Sequence, residues 1–172
     1  MKLGIIGQGF VGSAVSNGFS KDTERFIVDP KFTDNTLQDL VNWEAEIIFV
    51  CVPTPQQDTH LDVDTYIARE VLRELDKLEY KGVVVVKSTI TPHHLKQFKT
   101  LFSTLRLVYN PEFLTEANSL QDFINPNMQI LGGELHDCIE VEQAYIHHSK
   151  VKIVPTFKTD LTSASLIKYT IN

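Results

Sequence analysis

Residues Gly7-Gln8-Gly9-Phe10-Val11-Gly12 follow directly on the apolar run Leu3-Gly4-Ile5-Ile6, and seventeen residues after Gly12 a second apolar run, Phe26-Ile27-Val28, closes on Asp29. A strand, a glycine turn, a helix and a second strand ending in an acid make one βαβ unit, and few local patterns constrain a fold as tightly. Gly7 permits a tight turn, Gly9 lets the backbone approach a diphosphate, and Gly12 lets helix and strand pack closely. The opening of the helix presents N–H groups and the positive end of its dipole to phosphates. Asp29 can accept hydrogen bonds from a ribose diol and repels a 2′-phosphate, so the unit predicts NAD rather than NADP.

The rest of the chain continues in the same idiom. Apolar runs of strand length recur at 2–6, 25–29, 47–52, 83–87, 106–109, 128–131 and 151–154. Val83–Val86 is apolar at every position, which predicts a strand covered on both faces. A helix is expected over 64–79, capped by Asp62 or Asp64, with Ile67, Val71, Leu72, Leu75 and Leu78 as its stripe. Thr91-Pro92 reads as a cap followed by proline at the first helical position, with Leu95, Phe98, Leu101 and Phe102 inward. A further helix over 135–147 is expected to turn Leu135, Ile139 and Ile146 inward. Strands alternating with helices predict an α/β fold, a doubly wound and mostly parallel Rossmann-type sheet over residues 1–160. Residues 161–172 read as the start of a long helix with no Gly or Pro stop signal.

At 172 residues the chain has room for one domain with a real core. A net charge of −6 argues against nucleic acid and anionic membranes as partners. No apolar run approaches the roughly 20 residues of a membrane span. Cys51 and Cys138 lack C-x-x-C spacing, which fits a reduced, cytoplasmic protein.

Ligands of open α/β sheets bind outside the carboxyl ends of the strands. The loops there carry Pro53-Thr54-Pro55, Ser88-Thr89 and Asn110-Pro111-Glu112-Phe113-Leu114-Thr115-Glu116. The prolines stiffen the first loop and present Thr54 between them. If the third loop forms a helical turn, Glu112 and Glu116 share a face, and paired carboxylates tune a general base toward neutral pH. On the last helix Lys168 and Asn172 are four apart, so an ammonium and an amide on one face can stabilise an oxyanion. His60, Asp62 and Asp64 are explained by a loop and an acidic cap, and the pairs His93-His94 and His147-His148 have diverging rings; no metal site is expected.

The order Gly7-Gln-Gly-Phe-Val-Gly12, Cys51-Val-Pro-Thr-Pro55, Ser88-Thr89, Asn110-Pro-Glu-Phe-Leu114 with Glu116, Asp122-Phe123 and Lys168-Tyr-Thr-Ile-Asn172 resembles the UDP-glucose/GDP-mannose dehydrogenase family across the whole chain. It is nearest to the members that oxidise UDP-glucose. The resemblance implies that Gly7, Gly9, Phe10, Val11, Gly12, Asp29 and Lys31 hold the adenosine half of NAD, with Pro53 and Thr54 along its central part. It implies that Thr89 helps hold a catalytic water, and that Glu116 lies near nicotinamide and that water. Glu112 would stand beside the sugar, and Lys168 and Asn172 would stabilise the oxyanion at sugar carbon 6. The family oxidises a primary alcohol to a carboxylate with two NAD, trapping the aldehyde on a cysteine far downstream. That cysteine segment and a substrate-nucleotide domain have no counterpart here. His93-His94 stand where members often carry glycine, and Thr115 and Met128 where they carry basic residues. The resemblance further implies a homodimer through the final helix, whose Leu166, Ile167 and Ile171 would otherwise be exposed. Two alternatives are a non-catalytic nucleotide-binding or assembly module and a relative of the β-hydroxyacid dehydrogenases, which also carry a helix-borne Lys and Asn.

Overall fold

The computed structural model describes residues 1–56 and 63–171. These form one seven-stranded sheet from β1 (Lys2–Ile6), β2 (Glu24–Val28), β3 (Ile47–Val50), β4 (Val83–Val86), β5 (Arg106–Tyr109), β6 (Gln129–Gly133) and β7 (Thr156–Thr159). The strand order is β2-β1-β3-β4-β5-β6-β7, parallel throughout except for β5 against β6. The chain steps from β1 to one side, then crosses back to place β3 on the other. The switch point between β1 and β3 is where such sheets open a binding crevice.

Helices cover both faces: α1 (Phe10–Gly18), α2 (Leu37–Asn42), α3 (Tyr66–Lys77), α4 (Pro92–Leu101), α5 (Ser119–Ile124), α6 (Leu135–His148) and α7 (Leu161–Ile171). The valine run shows why. Val83 and Val85 pack with Val15, Phe19, Phe123, Val141 and Tyr145 of the α1, α5 and α6 side. Val84 and Val86 pack with Leu40, Leu72, Leu75, Leu95 and Phe98 beneath α2, α3 and α4. Successive strand residues point to opposite faces, so a strand covered twice must be apolar at each position.

Several local expectations change. Segment 151–154 is not a strand; the ladder to β6 is made by Thr156–Thr159, because Pro155 interrupts the apolar run and its carbonyl accepts from Gln129 N–H at 3.0 Å. The inward face of α6 is Cys138, Val141, Ala144 and Tyr145, while Leu135, Ile139 and Ile146 are exposed. Two stripes compete on that helix. The one that wins seats Tyr145 among Phe19, Phe49 and Phe123 and aims Asp137 at Arg106, 2.7 Å away. Ile67 and Leu101 also face solvent, leaving Ala68, Leu72 and Leu75 on α3 and Leu95 and Phe98 on α4 as the buried residues. The cap of α3 is Thr65, with Asp64 Oδ1 accepting from Tyr66 N–H at 2.8 Å; Asp62 lies outside the described residues. Thr91 caps α4 with Pro92 at its first turn, as the sequence predicts.

The first βαβ unit is held by backbone proximity. A methyl group added at Gly12 would lie 1.9 Å from the Gly7 carbonyl oxygen, so the helix can sit on the turn only without a side chain there. At its other end α1 is closed by Arg25, whose guanidinium donates to the carbonyls of Ser16, Phe19, Ser20 and Thr23. A cation among the last carbonyls of a helix satisfies them and offsets the negative dipole end. We predict that Gly12→Ala lowers the unfolding free energy by at least about 2 kcal/mol in urea titrations, since the clash is with backbone. Gly9→Ala, where an added methyl meets nothing within 4 Å, should cost under about 1 kcal/mol.

Candidate functional site

The turn after β1 is built for a close approach. Gly7 has φ 90°, and a side chain there would press within 2.7 Å of the Cys51 carbonyl oxygen at the end of β3. Its N–H donates to Val28 O at 3.0 Å, tying the turn to β2. Gly9 precedes α1 in extended conformation with no side-chain cap, and the first turn carries no acid. The opening N–H groups of the helix and its positive dipole end are therefore left for another anion. Gly9 faces open space, Phe10 is exposed, and Gln8 Oε1 is buried without a partner among the described residues.

Asp29 stands on the lip of this opening. Its Oδ2 accepts from Gln8 N–H at 2.6 Å and its Oδ1 from Lys31 N–H at 2.8 Å. Both oxygens are fixed by backbone, so the carboxylate is aimed before any ligand arrives. An uncapped helix end beside an oriented acid offers an anion and a diol complementary partners on one edge of the sheet. Lys31 is exposed at the outer rim.

The next loops line the same edge of the sheet. Pro53 is exposed and Thr54 half-buried after β3. Ser88 Oγ donates to Val52 O at 2.6 Å, pinning the loop after β4 to the loop after β3. Thr89 is half-buried in that loop. The following residue is clamped from two sides: Ile90 N–H donates to Tyr109 Oη at 3.4 Å, and Ile90 O accepts from Ser165 Oγ on α7 at 2.7 Å.

The loop after β5 corrects one expectation. Residues 111–115 form no helix, and only Glu116–Asn118 makes a short 3-10 turn, so Glu112 and Glu116 do not share a helical face. Pro111, which has no N–H, and the grip of Asp122 Oδ2 on Thr115 N–H and Oγ1 at 2.8 and 2.7 Å hold the loop open. Glu116 is exposed at the start of the turn. Glu112 is instead brought to Lys168. The Lys168 ammonium donates to the Glu112 carbonyl oxygen, lies 3.3 Å from Glu112 Oε1 and sits 5.0 Å from the centre of the Phe113 ring. Lys168 is 4% exposed on α7. Asn172, expected beside it, lies outside the described residues.

Sequence reasoning missed Lys87. It ends the valine run, is 4% exposed, and donates to Asn110 Oδ1 at 2.9 Å and Asn110 O at 3.3 Å. Burial drives its ammonium down to about 8; nearby Cys51 and Glu112 oppose that fall, and Lys168 adds to it. The signal was a lysine closing a strand predicted to be covered on both faces. Lys87, Glu112, Phe113, Phe123, Met128 and Ile171 line a cavity of about 230 Å³ at this end of the sheet. The two thiols are of another kind. Burial pushes Cys51 up to about 12 and Cys138 up to about 11, so both are protonated and poor nucleophiles at neutral pH. Among the described residues no three His, Cys, Asp or Glu side chains are grouped to hold a metal; His60 and Asp62 lie outside them. No helix among the described residues is long and apolar enough to cross a membrane.

Comparison with known proteins agrees with this geometry. Residues 29–149 match the NAD binding domain of the UDP-glucose/GDP-mannose dehydrogenase family. The uncharacterized protein MJ1054 of Methanocaldococcus jannaschii is 37% identical over 137 residues, covering 75% of this chain and 15% of that protein. UDP-glucose 6-dehydrogenase of Campylobacter jejuni is 24% identical over 199 residues, and the match covers 98% of this chain. The chain spans 51% of that enzyme's length. In fold, it superposes on a UDP-glucose dehydrogenase from the hyperthermophilic archaeon Pyrobaculum islandicum with a TM-score of 0.83 at 19% identity, over 99% of this chain and 48% of that one. The match over residues 29–149, joined to a glycine turn that precedes it and a seven-stranded sheet of the same fold, shows that this chain belongs to the UDP-glucose/GDP-mannose dehydrogenase family.

Proposed function

We propose that this chain binds NAD and serves as the cofactor-holding half of a nucleotide-sugar 6-dehydrogenase acting on UDP-glucose or a close relative. The observation that carries the reading is Asp29 held at 2.6 Å by the Gln8 N–H inside the glycine turn. That bond sets a ribose-selecting acid beside an uncapped helix end. Gly7, Gly9, Phe10, Val11 and Gly12 would hold the diphosphate, and Asp29 and Lys31 the adenosine ribose. Pro53 and Thr54 would flank the middle of the dinucleotide. NAD supplies the hydride acceptor for oxidation of the sugar alcohol.

The protein's own groups then handle protons and charge. Thr89 would orient a water, and Glu116, exposed at the mouth, would exchange protons with it. Glu112, beside Lys168, would stand at the sugar and take part in acid–base steps. Lys168, buried and positively charged, would stabilise the alkoxide or oxyanion, with Asn172 as its neighbour on the helix. Oxidation onward from the aldehyde by thiol trapping needs an accessible thiolate, and Cys51 and Cys138 are buried and protonated. Leu166 and Ile171 on α7 are exposed, whereas Ile167, expected beside them, packs against the core; the two exposed residues favour self-association of the folded chain.

Titration calorimetry should show NADH binding and at least tenfold weaker NADPH binding. Asp29→Ala should weaken NADH and narrow that gap, and Gly9→Ala should weaken NADH while leaving the fold intact. No heat with NADH from folded protein sinks the reading. With UDP-glucose and NAD, these 172 residues by themselves should not sustain two NADH per sugar; steady production at that ratio would show that a group other than the buried Cys51 and Cys138 carries the second oxidation. Light scattering at high concentration should report a species larger than the monomer, and a strict monomer would remove the proposed role of α7 in assembly.

A further inference from the structure

The groups around Glu112 converge on one buried cation that the proposed chemistry does not use. Lys87 N–H is locked to Val50 O of β3 at 2.9 Å, so the residue's backbone is fixed by the sheet. Its side chain then crosses to the residue after β5, where it meets both oxygens of Asn110. Asn110 is held in other directions as well. Its Oδ1 accepts from Tyr145 Oη on α6 at 2.7 Å, and its Nδ2 donates to Ile130 O of β6 at 2.9 Å. Those contacts orient the side chain. The Lys87 contact at 3.3 Å acts on the main-chain carbonyl that leads into Pro111. Proline fixes φ and has no N–H, so the angle at which the chain leaves Asn110 is passed directly to Glu112.

We propose that Lys87 is the positioning residue of this site: its ammonium holds both oxygens of Asn110 and so sets where the Glu112 carboxylate meets Lys168. The inference rests on the reading of Glu112 and Lys168 as the substrate end of the site. A buried ammonium is costly to desolvate, and an apolar side chain of equal length would fill the same space without that cost. The groups facing Lys87 are the Cys51 thiol beyond β3, the Phe123 ring of α5 at 5.7 Å, Glu112 in the loop after β5, Lys168 on α7, and the Tyr145 hydroxyl of α6 through Asn110. Glu112 favours the protonated form and Lys168 opposes it, so the charge on Lys87 is coupled to the pair that it places. Because burial brings Lys87 to about 8, its proton is lost as pH rises through that value, and the grip on Asn110 weakens with it.

A single amide reports the outcome. Leu114 N–H donates to Glu112 Oε2 at 2.7 Å, so its chemical shift and exchange rate follow the carboxylate. In the wild-type chain, labelled lysine should show Lys87 titrating near 8, and the Leu114 amide shift should step with the same midpoint. Lys87→Met should abolish that step and lower Leu114 exchange protection at least tenfold, with Val84 of β4 and Val108 of β5 unchanged. A Leu114 shift that stays flat while Lys87 titrates overturns the proposal, and this arm needs no variant. Unchanged protection of Leu114 in Lys87→Met, or a loss shared equally by Val84 and Val108, also overturns it, the second because it shows only a core role. Calorimetry of the wild-type chain separates the two readings. Absent NADH binding with a coupled Leu114 step removes the cofactor assignment alone, and normal binding with a flat step removes the Lys87 assignment alone.

Discussion

An uncapped helix end governs the arrangement of the nucleotide side of this protein. Most helices satisfy their first N–H groups with a Ser, Thr, Asp or Asn side chain. Here α1 opens on Gly9, which has no side chain to offer, and its first turn carries no acid. Everything nearby keeps that end open. Gly7 takes a positive φ so that the chain can turn beneath the helix, and Gly12 lets the helix rest on the Gly7 carbonyl. Asp29 supplies negative charge close by, its two carboxylate oxygens held by the Gln8 and Lys31 N–H groups. An anion bound there gains the helix dipole without competing with a built-in cap.

The other end of the candidate site depends on crosslinks between loops rather than on one motif. Ser88 joins the loops after β3 and β4, and Ser165 and Lys168 on α7 reach the loops after β4 and β5. These two α7 residues are three apart and so share a face. The helix is thereby the brace that sets these two loops against each other. Lys87 and Asn110 add a buried polar link between β4, β5, β6 and α6. Such links fix geometry more firmly than apolar contacts, which tolerate sliding.

The sequence was most informative where backbone chemistry leaves a residue signature. Glycines at fixed offsets, a proline after a threonine cap and a run of four valines each have one cheap structural explanation, and the turn, α4 and β4 follow it. Amphipathic helices were harder. On α6 two apolar stripes lie side by side, and the choice between them is made by Tyr145 and Asp137, whose partners Phe19, Asn110 and Arg106 are distant in sequence. Helices α2 and α5 have six residues each, too short for a periodic signal. Within the site, the individual residues of the β5 loop were legible, but their pairing was not. Glu112 meets Lys168 across 56 positions instead of Glu116 four positions away. Lys87 was hidden inside a strand pattern, where its burial depends on a neighbour in another loop.

The most direct test follows backbone amides of the labelled chain by two-dimensional NMR as NADH or NADPH is added. NADH should shift the amides of Gln8, Phe10, Val11, Gly12 and Lys31 together with a single saturation curve, and NADPH at equal concentration should leave them nearly unmoved. If NADH moves other regions and leaves these five in place, or if both dinucleotides move them alike, the open helix end and its flanking acid are not the cofactor site.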